Sequence, residues 1–126
     1  MSAWTIFDYV EGEVDQIRVW IDSLPKKAQA KIDMRIGYLQ ITQTWPPQYM
    51  SARRDCPGIY ELRISCTGVQ YRPLGYFGPR QREFTLLMGA IEKGGCLEPR
   101  AFCVIATRLR EIVNGDRSRI IPHRFG

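Results

Sequence analysis

Apolar positions along the chain change period several times, and each change predicts an element. From Trp4 to Val10, aromatic and β-branched residues alternate with polar ones, which predicts a strand that Gly12 ends. Val14, Ile17, Ile21 and Leu24 then recur at helical spacing, with Glu11, Glu13 and Asp15 where a helix N-terminus favours negative charge. After the break at Ser23 to Pro25, the stripe Ala28, Ile32, Ile36 and Leu39 predicts a second helix running to about Thr44, where Trp45-Pro46-Pro47 stops it. The two helices form a hairpin.

Beyond the loop Gln48 to Gly58, period two returns. Tyr60, Leu62 and Ile64 fall on one face of a strand, and Glu61, Arg63 and Ser65 on the other. Thr67-Gly68 reads as a tight turn, which pairs Cys66 with Val69, Ser65 with Gln70, Ile64 with Tyr71, and Arg63 with Arg72. The second strand runs from Val69 to Phe77 with a bulge or edge at Pro73, and a third spans Glu83 to Met88. Glu98-Pro99 starts a last helix whose buried stripe is Ala101, Ile105, Leu109 and Ile112, ended by Asn114-Gly115. This is an α+β chain: one domain over residues 1–115, with helices on one face of a largely antiparallel sheet and the other face free, then a mobile basic tail over 116–126.

Length and composition change little: 126 residues with 44% hydrophobic and 25% charged suit one globular domain and exclude a disordered or collagen-like chain. No apolar run approaches the roughly 20 residues of a bilayer span, and Met1-Ser2-Ala3-Trp4 shows no secretory pattern, so a cytoplasmic location away from membranes is expected. Cys56, Cys66, Cys96 and Cys103 contain no CxxC pair and are expected as buried or idle thiols, neither disulfides nor a zinc site. No metal or small-molecule cofactor is predicted.

Charge is the informative departure. Residues 1–25 carry five acids against Arg18 alone, whereas residues 26–126 carry 17 bases against eight acids, and 14 of the 18 bases are arginine. The planar guanidinium suits phosphate, so the basic part points to a polyanion or stays a solvated surface.

The residues Cys56-Pro57-Gly58-Ile59-Tyr60-Glu61-Leu62-Arg63, then Tyr71-Arg72, Tyr76-Phe77 and Phe84 to Gly89, resemble the phage-derived HigB-like branch of the RelE/ParE toxin superfamily. The resemblance implies a RelE-like fold of strand, helix hairpin, three-stranded antiparallel meander and C-terminal helix. It also implies a toxin of a toxin–antitoxin pair, a metal-independent endoribonuclease that cuts mRNA on the ribosome and is held inactive by an antitoxin. Arg63 and Arg72 match family positions that bind and polarise the scissile phosphate, and Lys93 matches the basic residue after the last strand of the meander. Tyr71, Arg80, Arg82, Arg108 and Arg110 complete the implied RNA-binding set. Glu61 stands where several relatives have a base, Pro73 interrupts a strand, and the late catalytic tyrosine of some relatives is missing, with His123 or Phe125 as stand-ins. A non-catalytic inhibitor of a protein such as gyrase, or a degenerate relative, is the alternative.

Each candidate also has a plainer reading. Arg63 and Arg72 suit a solvated strand face, Tyr71 and Tyr76 a core, Gly94-Gly95 a flexible turn, and His123 a frayed tail. The chain shows no GxSxG, HExxH or Rossmann glycine pattern, so other enzyme classes have no support.

Overall fold

The computed structural model describes residues 3–126, and Met1 and Ser2, which enter the reading of the N-terminus, lie outside them. The elements in chain order are β1 (Thr5–Glu11), β2 (Val14–Asp15), α1 (Gln16–Asp22), α2 (Lys26–Gln40), β3 (Met50–Ala52), β4 (Tyr60–Leu62), β5 (Ile64–Cys66), β6 (Val69–Tyr71), β7 (Leu74–Phe77), β8 (Glu83–Met88), β9 (Ile91–Lys93), β10 (Cys96–Glu98), α3 (Phe102–Gly115) and β11 (Ile120–Pro122), with a short 3₁₀ turn at Arg117–Arg119 before the last strand. The class is mixed α+β, with more strands than a simple meander. One sheet runs β11-β1-β8-β7-β4-β3, with β2 paired to β1, and a second runs β10-β9-β6-β5. β1 lies parallel to β8, and the other ladders are antiparallel.

The two sheets are one set of strands interrupted at a single level. β4 and β5 break at Arg63, β6 and β7 at Arg72-Pro73, and β8 and β9 at Gly89-Ala90. Pairing carries through the break, because Leu62 N–H donates to Pro73 O at 2.8 Å and Arg72 and Ala90 exchange backbone bonds at 2.8 and 3.1 Å. Arg63 N–H likewise extends the β3–β4 register by one pair, donating to Tyr49 O at 2.8 Å. Proline has no N–H for a ladder, which accounts for an interruption at Pro73.

Helices cover both faces, which corrects the expectation of one free face. Along β1 and β8, alternation sends Ile6 and Leu86 into a core with Ile17, Ile21, Ile32 and Ile36 of α1 and α2, and Phe7 and Leu87 into a core with Phe102, Ala106 and Val113 of α3. The α3 stripe is therefore shifted by one residue from the expected one. Ala101 and Ile105 are exposed, Leu109 and Ile112 pack at the margin, and the helix begins later because Cys96–Glu98 is held extended against β9.

Other boundaries shift for local reasons. Val14 and Asp15 pair with β1, so α1 starts at Gln16, and Asp15 caps it by accepting the Arg18 N–H at 2.9 Å. α2 stops at Gln40, before the prolines, where the Trp45 indole donates to Leu39 O at 2.9 Å and closes the helix end.

Two further expectations are overturned. The tail is no mobile appendage: β11 pairs with β1, and His123 N–H donates to Ile6 O at 2.9 Å. Cys56 and Cys103 are not idle thiols but form a disulfide, while Cys66 and Cys96 are free. Among the described residues no helix is long and apolar enough to cross a membrane.

Candidate functional site

The level at which the strands break carries a cluster of charged side chains. The register sets Glu61 opposite Leu74 on one side of the break and Ile64 opposite Tyr71 on the other, so Arg63 and Arg72 face each other between them. Glu61, Arg63 and Ser65 then share one face with Gln70 and Arg72, and the apolar alternates Leu62 and Ile64 enter the core under α1 and α2.

Glu61 is buried and organises the cluster. One carboxylate oxygen accepts Arg53 Nη1 at 2.8 Å, and the other accepts Arg63 Nη1 at 2.7 Å and lies 3.7 Å from Arg72 Nε. Three guanidiniums converge on one carboxylate, each with a different exposure. The side chains of Arg63 and Arg53 are 41% and 20% exposed, whereas that of Arg72 is 3% exposed. Arg72 gives Nη1 to Tyr71 O at 3.1 Å and Nη2 to Gln70 Oε1 at 3.2 Å, with Glu92 3.5 Å away, while its buried Nε has no hydrogen-bond partner. Burial pulls the Arg72 guanidinium below its ordinary pKa, a pull that Glu61 opposes. Arg53 also loses from burial, yet Asp55 and Glu61 together raise it.

An open cleft of ≈ 380 Å³ lies over this face, lined by Ser51, Ala52, Arg53, Arg54, Asp55, Glu61 and Arg63, and the Arg53 fork is held there by Asp55, with Nε at 2.9 Å and Nη2 at 2.6 Å from its two oxygens. Guanidinium forks set at such a cleft can hold a phosphate by paired charge-assisted hydrogen bonds. Arg53 and Arg54 are members that sequence reasoning missed. Their run Arg53-Arg54-Asp55, just before the Cys56-Pro57-Gly58 turn, was the available signal, but it sits in a segment read only as a loop.

The other implied site residues do not join the cluster. Tyr71 is core, packed among Ile64 and Leu86, and offers no free ring face for a base. Tyr76 is also buried and donates to Asn114 Oδ1 at 2.7 Å. Lys93 is exposed at the end of β9, beside the Gly94-Gly95 turn of the β9–β10 hairpin. Arg80 and Arg82 occupy the exposed turn before β8, where Arg82 stands over the Trp4 ring at 5.6 Å. Arg108 is exposed on α3, and Arg110 donates to Pro57 O at 3.2 Å.

His123 is neither frayed nor open to a substrate. Its side chain is fully buried, with Nδ1 2.7 Å from Asp8 Oδ1 and Nε2 2.9 Å from Asp33 Oδ1. Arg18 joins Asp33 at 3.1 Å to the Arg124 carbonyl at 2.7 Å, and Gly126 N–H donates to Asp33 at 3.0 Å. This cluster fastens the tail to β1 and α2.

Compared with protein-family models, curated proteins and solved structures, the chain matches none.

Proposed function

We propose that the chain is the toxin of a toxin–antitoxin pair, an endoribonuclease that cleaves mRNA on the ribosome and stops translation. The observation that carries this reading is the convergence of Arg53, Arg63 and Arg72 on Glu61 beneath an open cleft. The order of strand, helix hairpin, antiparallel strands β4, β7 and β8, and C-terminal helix supports the RelE-like topology that the resemblance implies.

Cleavage of RNA by its own 2′-hydroxyl needs an in-line nucleophile, offset of the charge that develops on phosphorus, and protonation of the leaving oxygen. Arg63 and Arg53 meet the second need, since a phosphate in the cleft takes over donors that Glu61 and, for Arg53, Asp55 now hold. Arg72, buried behind them, supports Glu61 and adds field without contact. Guanidiniums do not release protons near neutrality, so alignment of the RNA by the ribosome supplies much of the rate. The partners are the ribosome with its mRNA and a cognate antitoxin that covers the cleft with acidic residues.

A second reading, a non-catalytic inhibitor that binds a protein such as gyrase, is favoured by one observation: Glu61 already engages the arginines, and Arg72 is out of reach. Controlled expression followed by mapping of mRNA 5′ ends on ribosomes separates the two. New ends within translated codons, lost in Arg63→Ala, support the nuclease. Growth arrest with intact mRNA and altered DNA supercoiling supports the inhibitor.

A further inference from the structure

The loop between β3 and β4 brings Arg53, Arg54 and Asp55 to the cleft, and it is closed on itself. Arg53 N–H donates to Ile59 O at 2.9 Å, and Ile59 N–H donates to Cys56 O at 3.1 Å. Within this loop Cys56 is fully buried and bonded to Cys103 in the first turn of α3, where Cys103 is half-buried. Weaker ties stand beside the bridge: Arg110 Nη1 donates to Pro57 O at 3.2 Å, and the Arg53 guanidinium lies over the Phe102 ring at 5.1 Å. The Sγ of Cys56 is thus the covalent point through which α3 holds the arginine loop against the polar sheet face.

We propose that the Cys56–Cys103 bridge is a redox-controlled positioning element of the cleft, holding Arg53 and Arg54 in place when oxidised and releasing them when reduced by a dithiol. The proposal rests on the reading of the cleft as a phosphate site. In the reducing step, a thiolate of the dithiol attacks Cys103 Sγ, the more accessible sulfur, and the S–S bond breaks with Cys56 leaving as a thiolate that takes up a proton. The second thiol of the reductant attacks the mixed disulfide and frees Cys103, which also gains a proton. The protein receives two electrons and two protons, and the reductant becomes a disulfide. A small disulfide oxidant reverses the sequence. Because oxidising and reducing surroundings set opposite states of such a pair, the grip of the cleft follows the redox state of the compartment.

The test compares the full chain in its oxidised form, after reduction with dithiothreitol, and after reoxidation with glutathione disulfide, in a Cys66→Ala, Cys96→Ser background that prevents reshuffling. Trypsin nicking after Arg53 and Arg54 reports the loop, and anisotropy of a labelled single-stranded RNA reports the cleft. Reduction is expected to speed nicking at these arginines about tenfold, with cleavage elsewhere unchanged, as local opening requires. RNA affinity is expected to fall by roughly threefold to tenfold as two fork donors lose their fixed positions. Both effects reverse on reoxidation. Equal nicking in the two states overturns the proposal, and so does faster nicking with unchanged RNA affinity. If the oxidised chain binds no RNA, the phosphate reading fails separately, and nicking alone decides whether the bridge orders the loop. The Cys56→Ser, Cys103→Ser variant must reproduce the reduced behaviour; if it fails to fold, the reduced protein carries the comparison.

Discussion

Arg63 and Arg72 stand directly opposite each other across a continuous antiparallel register, and the Glu61 carboxylate reaches toward both, at 2.7 Å and 3.7 Å. Like charges so placed cost roughly 0.2–1 kcal/mol without an anion between them. Glu61 supplies that anion, and Arg53 joins it from the neighbouring loop. Replacing Glu61 by Gln leaves the buried Arg72 guanidinium with only the partly exposed Glu92 as a counter-charge, a loss expected to cost roughly 3–5 kcal/mol. Urea unfolding checks this, and a loss below about 1 kcal/mol, typical of an exposed pair, would show that the cluster is not organised by Glu61.

The two facing arginines are not equivalent. Arg63→Ala removes a side chain that is 41% exposed and is expected to leave the fold intact, whereas Arg72→Ala removes one that is 3% exposed. Losing the buried fork and its bonds to Tyr71 O and Gln70 is expected to lower stability by roughly 1.5–3 kcal/mol. Thermal unfolding of the two single variants measures the difference. Equal losses would place both side chains in the same environment, contrary to the structure.

The tail cluster makes stability depend on pH. Burial pushes the Asp8 carboxyl up to about 7 against the attraction of His123. Burial also pulls the His123 imidazole down, but the Asp8 and Asp33 carboxylates outweigh it and leave His123 above its ordinary value. A raised value in the folded state means that the native chain holds a proton the unfolded chain has released, so stability from both groups is full at low pH and falls as pH rises. For Asp8 the loss begins above 3.8 and is complete past about 7, and for His123 it begins above 6.5. Asp33 acts oppositely: burial raises it, but His123, Gly126 N–H and Arg18 together lower it, so its contribution is lost only below 3.8. Hydrogen exchange at Ile120, Ile121 and His123 is expected to lose protection, beyond the intrinsic rise in rate, as pH passes through about 7. His123→Ala should leave Asp8 raised by burial alone, so that the fall in stability extends to higher pH, and should cost roughly 3–5 kcal/mol where Asp8 is forced to ionise unpaired. An unaltered pH profile in that variant would separate the tail from the cluster.

Local pattern was legible wherever it was answered locally. The alternation of Tyr60, Leu62 and Ile64 against Glu61, Arg63 and Ser65 gave the two faces, and Thr67-Gly68 gave the hairpin register at once. What stayed hidden depends on partners distant in sequence. The basic tail looks solvated until Asp8 and Asp33, brought from β1 and α2, enclose His123. Cys56 and Cys103 have no motif spacing, and only the packing of the β3–β4 loop on α3 brings them together. Arg53 reads as loop until the same packing turns it to Glu61. The α3 stripe went wrong by one residue because Ala101 and Phe102 are both apolar and periodicity alone does not choose between them.

The cleft itself is tested by its two accessible forks together. Arg53 and Arg63 approach opposite oxygens of Glu61, so a phosphate seated in the cleft receives both at once, and each replacement weakens the same contact. Under the nuclease reading, Arg63→Ala is expected to lower cleavage by about 10²–10³, comparable to losing one donor to a developing oxyanion, and Arg53→Ala by a similar factor. Acting on one phosphate, the pair is expected to lose less in the double variant than the sum of the two single losses in free energy. Binding supplies an independent measure: RNA affinity should fall steeply with salt, and the slope against the logarithm of salt concentration should shrink by about 0.7 for each phosphate contact removed from a single strand. Glu61 screens part of the charge of both forks, so the slope should be modest in the wild type and steeper in Glu61→Gln if that variant folds. Fully additive losses would place the two arginines on different phosphates. A double variant that binds and cleaves RNA as the wild type does would move the site away from this cleft altogether.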